Sequence, residues 1–144
     1  AIALIWLRNM PDGLTAVLWT CAVVWATDIF AYFTGRAIGG PKIWTAISPN
    51  KTWAGLIGGM TAAAIVSVAI AHWAGWAYAW WQMLLAGAFL AIVAQAGDFF
   101  ESWLKRRAGV KDSGKLLPGH GGVMDRVDGL VPVSCAIALM AVLA

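Results

Sequence analysis

Five carboxylates in this chain stand where carboxylates are costly. Asp98 and Glu101 are three residues apart, Asp125 and Asp128 repeat that spacing, and Asp28 interrupts an otherwise apolar run. Residues at i and i+3 share one face of a helix. An acid near the bilayer core carries a penalty of a few kcal/mol, so it turns toward a bundle interior or a watery cavity and finds a partner. Acids gathered at one level repel one another unless cations intervene. Lys and Arg can do part of that work, as in the i, i+4 pair Glu101 and Lys105. A hard divalent ion is the other solution, and Mg²⁺ takes one or two carboxylates together with phosphates and waters. Ion pairs and helix-terminal charges alone would also account for the isolated acids.

The segment 102–128 shifts that balance. It carries Lys105, Arg106, Arg107, Lys111, Lys115 and Arg126 around Pro118-Gly119-His120-Gly121-Gly122. Glycines let backbone N–H groups approach an anion closely. A second polar stretch, Ser48-Pro49-Asn50-Lys51-Thr52, offers hydroxyls, an amide and an ammonium just ahead of an apolar run. A helix beginning there favours anions. Acids for a metal with bases and glycines for phosphate form the inventory of phosphoryl or nucleotidyl transfer. Neither a Walker motif nor GxGxxG is present.

These groups need a membrane scaffold to position them. The 144 residues are 61% hydrophobic and 12% charged, with ten tryptophans. Soluble domains are near 45–50% and ~25%. Leu14 to Phe33 is long enough for a span. From Trp53 to Gly97 there is no Lys, Arg, Asp or Glu, and 45 such residues suit two spans joined by a turn. The turn is expected within 72–82, where His72, Gly75 and several aromatics suggest an interfacial belt. Spans are therefore predicted at about 14–33, 53–72, 82–104 and 128–144, with residues 1–7 ending an earlier helix. The expected fold is all-α, a polytopic membrane bundle with about four full spans in one domain, residues 1–144. Gly55 and Gly59 form a small-xxx-small pair of the kind that lets helices approach.

Nine of the ten basic residues fall in the loops 35–52 and 102–126, and the 72–82 turn has none. The positive-inside rule puts both basic loops in the cytoplasm. That topology explains the basic pI of about 9.1 better than nucleic-acid binding does, and no nucleic-acid partner is expected. Cys21 and Cys135 lie in apolar runs and read as small hydrophobes. His72 reads as an interfacial polar residue.

The longer pattern resembles a known family. Ser102-x-x-Lys105-Arg106, Lys111-Asp112-Ser113-Gly114, Pro118-Gly119-His120-Gly121-Gly122 and Asp125-Arg126-x-Asp128 keep fixed spacing over 27 positions. They resemble the signature of the phosphatidate cytidylyltransferases, or CDP-diacylglycerol synthases. Asp28-x-x-Ala31-Tyr32-x-x-Gly35-Arg36, Ser48 to Thr52, and Gly97-Asp98-x-x-Glu101-Ser102 look like the same family. Family members are longer, with further N-terminal spans, so the chain looks like a C-terminal catalytic half.

The resemblance implies an enzyme that joins CTP to phosphatidate in the bilayer, giving CDP-diacylglycerol and pyrophosphate with Mg²⁺. It implies two metal sites, the identity of the second cation being open. By motif, Asp98, Asp125 and Asp128 are expected to bind metal and to be catalytic, with Lys111 and His120. Arg36, Ser48, Asn50, Lys51, Lys105, Arg106, Gly121, Gly122 and Arg126 are expected to bind substrate. The bacterial inner membrane is the expected location, with the site on its cytoplasmic face, and a homo-oligomer is compatible with this layout. The rival readings are a CTP-dependent synthase or kinase acting on an isoprenoid lipid and, remotely, a transporter subunit.

Overall fold

The computed structural model describes residues 2–110 and 124–143. A short helix α1 (Ile2–Arg8) turns sharply into α2 (Gly13–Ala37). A β-hairpin of β1 (Lys42–Trp44) and β2 (Ser48–Thr52) follows, then α3 (Trp53–Trp73) and α4 (Trp80–Arg107). Beyond the undescribed segment come a single turn, α5 (Met124–Val127), and α6 (Leu130–Leu143). Helices α2, α3 and α4 are each long and apolar enough to cross a membrane. The fourth expected span is represented by α6, whose 14 residues fall short of the ~20 that a full crossing needs.

Helix boundaries follow local chemistry. Thr52, in extended conformation, caps α3 by accepting the Gly55 amide at 3.1 Å, so one orphan N–H is satisfied at an apolar helix start. Gly75 (φ +68°) ends the α3 side of the turn, and Gln82 Oε1 accepts the Ala79 amide at 2.9 Å to begin α4. Pro132 falls in the first turn of α6, where its missing N–H is harmless. The expected all-α membrane bundle is what forms, and outside the helices the described residues add only this small two-stranded hairpin. Its register pairs Lys42 with Thr52 and Trp44 with Ser48, with an irregularity between them. Pro49 is tolerated because a two-stranded ribbon has free edges.

The core runs down the middle of the bundle through Val23, Val24, Ala63, Leu90, Ala91, Ala94 and Val133. Small residues set the helix spacing. A Cβ on Gly55 would sit 2.8 Å from the Ala31 carbonyl oxygen, and one on Gly59 would sit 2.9 Å from that of Thr27. The Gly55/Gly59 pair is therefore the seam where α3 lies against α2. Several polar groups inside the bundle are paired. Trp19 Nε1 donates to Ser67 Oγ at 3.0 Å, and Thr20 and Thr27 return their hydroxyls to carbonyls one turn back. The outward faces carry Trp25, Ile29, Ile57, Ile65, Leu85 and Phe89, which suits hydrocarbon.

Candidate functional site

The C-terminal end of α2, the hairpin, the start of α3 and the C-terminal half of α4 meet around one polar cavity of about 570 Å³. Its wall includes Asp28, Tyr32 and Arg36 from α2, Lys42, Asn50 and Lys51 from the hairpin, and Gln95 and Asp98 from α4. Three cations and two acids thus face one space at one end of an apolar bundle. Asp28 lies deeper than the sequence suggested. The helix continues to Ala37, nine residues beyond Asp28, or roughly 14 Å along the axis.

Lys51 is the hub. Its ammonium contacts the Asp98 carboxylate, donates to Gln95 Oε1 at 2.9 Å, and stands 4.7 Å from the centre of the Phe99 ring. Both partners of the ion pair keep some solvent exposure, 19% for Lys51 and 31% for Asp98. At the rim, Arg36 Nη1 donates to the Tyr32 hydroxyl at 3.1 Å, one helical turn apart, which restrains the guanidinium on the cavity side.

Asp128 approaches from the turn between α5 and α6. A Cβ on Gly97 would lie 2.7 Å from the Asp128 carbonyl oxygen and 2.4 Å from Pro132 Cγ, so Gly97 is what lets this turn close on α4. The Asp128 carboxylate accepts the Gly129 amide at 2.8 Å. Burial and then the Asp98 charge push its pKa up, against the lowering effect of that amide. Asp28 lies within reach of the charges of Asp98, Asp128 and Lys51. Glu101, 5% exposed, pairs through Oε2 with Lys105 Nζ at 3.3 Å. Its other oxygen, Oε1, is buried and has no hydrogen-bond partner among the described residues.

Can these residues hold a divalent cation? Among the described residues no three His, Cys, Asp or Glu side chains converge closely enough to cage one. Mg²⁺ asks less than that, since one or two carboxylates suffice when phosphates and waters complete the octahedron. Asp98 and Asp128 supply hard oxygens close to one another, and burial first and the Asp98 charge second disfavour the ionised Asp128 carboxylate. The donor chemistry therefore fits.

The expected site residues divide into three groups. Arg36, Asn50, Lys51 and Asp98 line the cavity, with Asp128 beside it. Ser48, Lys105 and Arg106 are not on its wall: Ser48 pairs with Trp44 in the hairpin, Lys105 is held to Glu101, and Arg106 is exposed in the last turn of α4. Lys111, His120, Gly121 and Gly122 lie outside the described residues. Asp125 and Arg126 belong to α5, but their side chains are likewise outside. Two wall residues, Lys42 and Gln95, were missed in the sequence. Lys42 gave no signal beyond its charge. Gln95 could have been noticed as an amide inside a 45-residue uncharged run. His72 and the free thiols of Cys21 and Cys135 lie away from the cavity.

A sequence model of the cytidylyltransferase family matches residues 1–144. The chain belongs to that family. It is 51% identical over 140 residues to a phosphatidate cytidylyltransferase of Brucella abortus biovar 1 (strain 9-941), a match covering 96% of this chain and 52% of the relative. The phosphatidate cytidylyltransferase of Staphylococcus haemolyticus (strain JCSC1435) is 47% identical over 117 residues, covering 81% and 45%. That of Bacillus subtilis (strain 168) is 44% identical over 123 residues, covering 85% and 46%. The chain thus spans about half the length of the curated relatives it matches. For this member of the cytidylyltransferase family the polar cavity, reached by both the Asp28 and the Lys51 motifs, is the candidate active site.

Proposed function

We propose that the chain carries the catalytic centre of a phosphatidate cytidylyltransferase, which joins CTP to phosphatidate and releases pyrophosphate. The observation that carries this reading is the single cavity in which Arg36, Lys42 and Lys51 face Asp28 and Asp98, in a chain whose relatives bear that name. Cations draw in a polyphosphate, and acids call for a metal.

In the proposed reaction a phosphate oxygen of the lipid attacks the α-phosphorus of CTP. A new P–O bond forms as the bond to the β-phosphate oxygen breaks, and pyrophosphate leaves with that electron pair. A phosphate monoester is already largely ionised near neutral pH, so no strong general base is required. Lys51, Arg36 and Lys42 orient the triphosphate as cationic donors, the Arg36 guanidinium being suited to two-point contact with phosphate. Asn50 adds a neutral amide at the same rim. Asp98 and Asp128, with Asp125 by motif, would hold Mg²⁺, and a second cation would share these acids. When bound, such ions neutralise charge on the attacking and leaving oxygens. Lys111, His120, Gly121, Gly122, Arg126, Lys105, Arg106 and Ser48 are assigned by motif to the phosphate surroundings or to the reaction.

The acyl tails stay in hydrocarbon while the lipid phosphate reaches the cavity from the side. We place the site at the cytoplasmic face of a bacterial inner membrane, because the basic residues cluster at this end. The test is transfer of label from CTP to lipid in reconstituted membranes. Label from α-labelled CTP, and none from γ-labelled CTP, should appear in a product made only with phosphatidate. Transfer of the γ-phosphate, or preference for an isoprenoid acceptor, would replace this reading with the kinase or isoprenoid-lipid alternative.

A further inference from the structure

We infer that Gln95 is a positioning residue that aims the Lys51 ammonium into the cavity without cancelling its charge, so that it tunes affinity for the anionic polyphosphate. The inference rests on the proposed phosphate role of Lys51 and extends it to a residue outside every motif described above.

The physical case begins with cost. Gln95 is 7% exposed and lies within a helix apolar enough to cross a membrane, where a primary amide is retained only if it is satisfied. Its Oε1 accepts from Lys51 Nζ across 44 positions of sequence, and it stands three residues before Asp98 on the same face of α4. Lysine is a flexible stem with a compact charge. Three contacts restrain it here: Asp98, Gln95 and the face of Phe99. They do different things. Asp98 neutralises the ammonium and is itself wanted by a cation. Phe99 attracts it over the ring face but offers no lone pair to accept its N–H. Among these three contacts Gln95 alone offers a hydrogen-bond acceptor with no net charge. If Asp98 turns toward a cation, the Gln95 contact still fixes where the positive charge points, and an ammonium with three donors keeps two for phosphate oxygens.

The test uses the intact protein in lipid-containing micelles, with Gln95→Leu and the closer isostere Gln95→Met. Both suit an apolar helix, and size-exclusion and thermal-unfolding profiles check that they are folded. A hydrogen bond to a charged group lost on this scale predicts a rise in KM for CTP of roughly tenfold, with kcat changed by less than about twofold, and equal KM for the lipid. The second readout is binding of inorganic pyrophosphate by calorimetry. It should weaken in both variants by a similar factor. In a Lys51→Ala background, Gln95→Leu should weaken it no further, because Gln95 acts only through Lys51. An unchanged CTP KM and pyrophosphate affinity in folded Leu and Met variants would overturn the inference, as would full additivity with Lys51→Ala. If wild-type protein makes no cytidylylated lipid, the proposed activity fails by itself, and the pyrophosphate series still decides the role of Gln95.

Discussion

The two ends of this bundle carry cavities of similar size and opposite chemistry. The end at the hairpin holds about 570 Å³ walled by Asp28, Arg36, Lys42, Lys51 and Asp98. The end at the α3–α4 turn holds about 710 Å³ walled mainly by Leu7, Trp19, Trp76, Tyr78, Met83 and Met140, with Asp12 as its only charge among the described residues. Helices α2 and α4 contribute to both, while α3 and the hairpin line only the first and α1 and α6 only the second. At the apolar end, Trp19 packs edge-on to Trp76 with ring centres 5.7 Å apart and donates to Ser67, so its polar atom is turned inward. At the polar end, side chains from α2, the hairpin and α4 leave their charges facing an open space. Volume therefore does not distinguish the two cavities. The placing of charge does.

The largest test of that contrast is to remove an acid from the polar end. Asp98→Ala should lower cytidylyl transfer by about 100-fold or more without preventing membrane insertion, whereas Asp12→Ala at the other end should leave the rate unchanged. Assays on both purified variants decide it, and near-normal activity for Asp98→Ala would break the comparison. Next in size is the helix seam. Gly59→Val would push a side chain into the Thr27 carbonyl and should cost about 1–3 kcal/mol, read as a lower melting temperature in detergent, with activity lost only in proportion to unfolded protein. Ser67→Ala at the apolar end leaves Trp19 Nε1 without its acceptor and should cost about 1 kcal/mol, with CTP KM unchanged.

The smallest effect concerns pH. The Asp128 pKa is raised in the fold by burial and by Asp98, so its ionised form is disfavoured relative to the unfolded chain. Its ionisation therefore subtracts stability above the raised pKa, and that penalty is relieved as pH falls through it. Metal-free protein should melt slightly higher at mildly acidic than at neutral pH, and Asp128→Asn should flatten the dependence. Addition of Mg²⁺ should raise the neutral-pH melting temperature of the wild type more than that of Asp128→Asn.

Much of the layout could be read from residues whose cost is unambiguous. A 45-residue uncharged stretch has to be two spans with a turn, and the turn fell at Ala74–Ala79 because Gly75 and the aromatics marked it. Asp28 announced itself by standing alone among apolar neighbours. The hairpin was hidden because Lys42–Trp44 is too short to show alternation and Ser48–Thr52 has the composition of a turn. Gln95 escaped for a different reason: an amide carries no charge, so it does not interrupt the signal that defines a span. The partnership of Lys51 with Asp98 and Gln95 depends on how α4 is rotated against the hairpin, which no local spacing specifies.

Thr52 joins three tasks: it caps α3, pairs with Lys42 across the hairpin, and is 3% exposed. A residue so tied cannot shift along the chain. Lengthening the connection at residues 45–46 leaves its anchoring intact, but an insertion between Asn50 and Thr52 would swing Lys51 away from α4 and out of the cavity. Natural variants of this hairpin should accordingly differ in length at its tip, while the three positions next to α3 stay free of insertions and deletions.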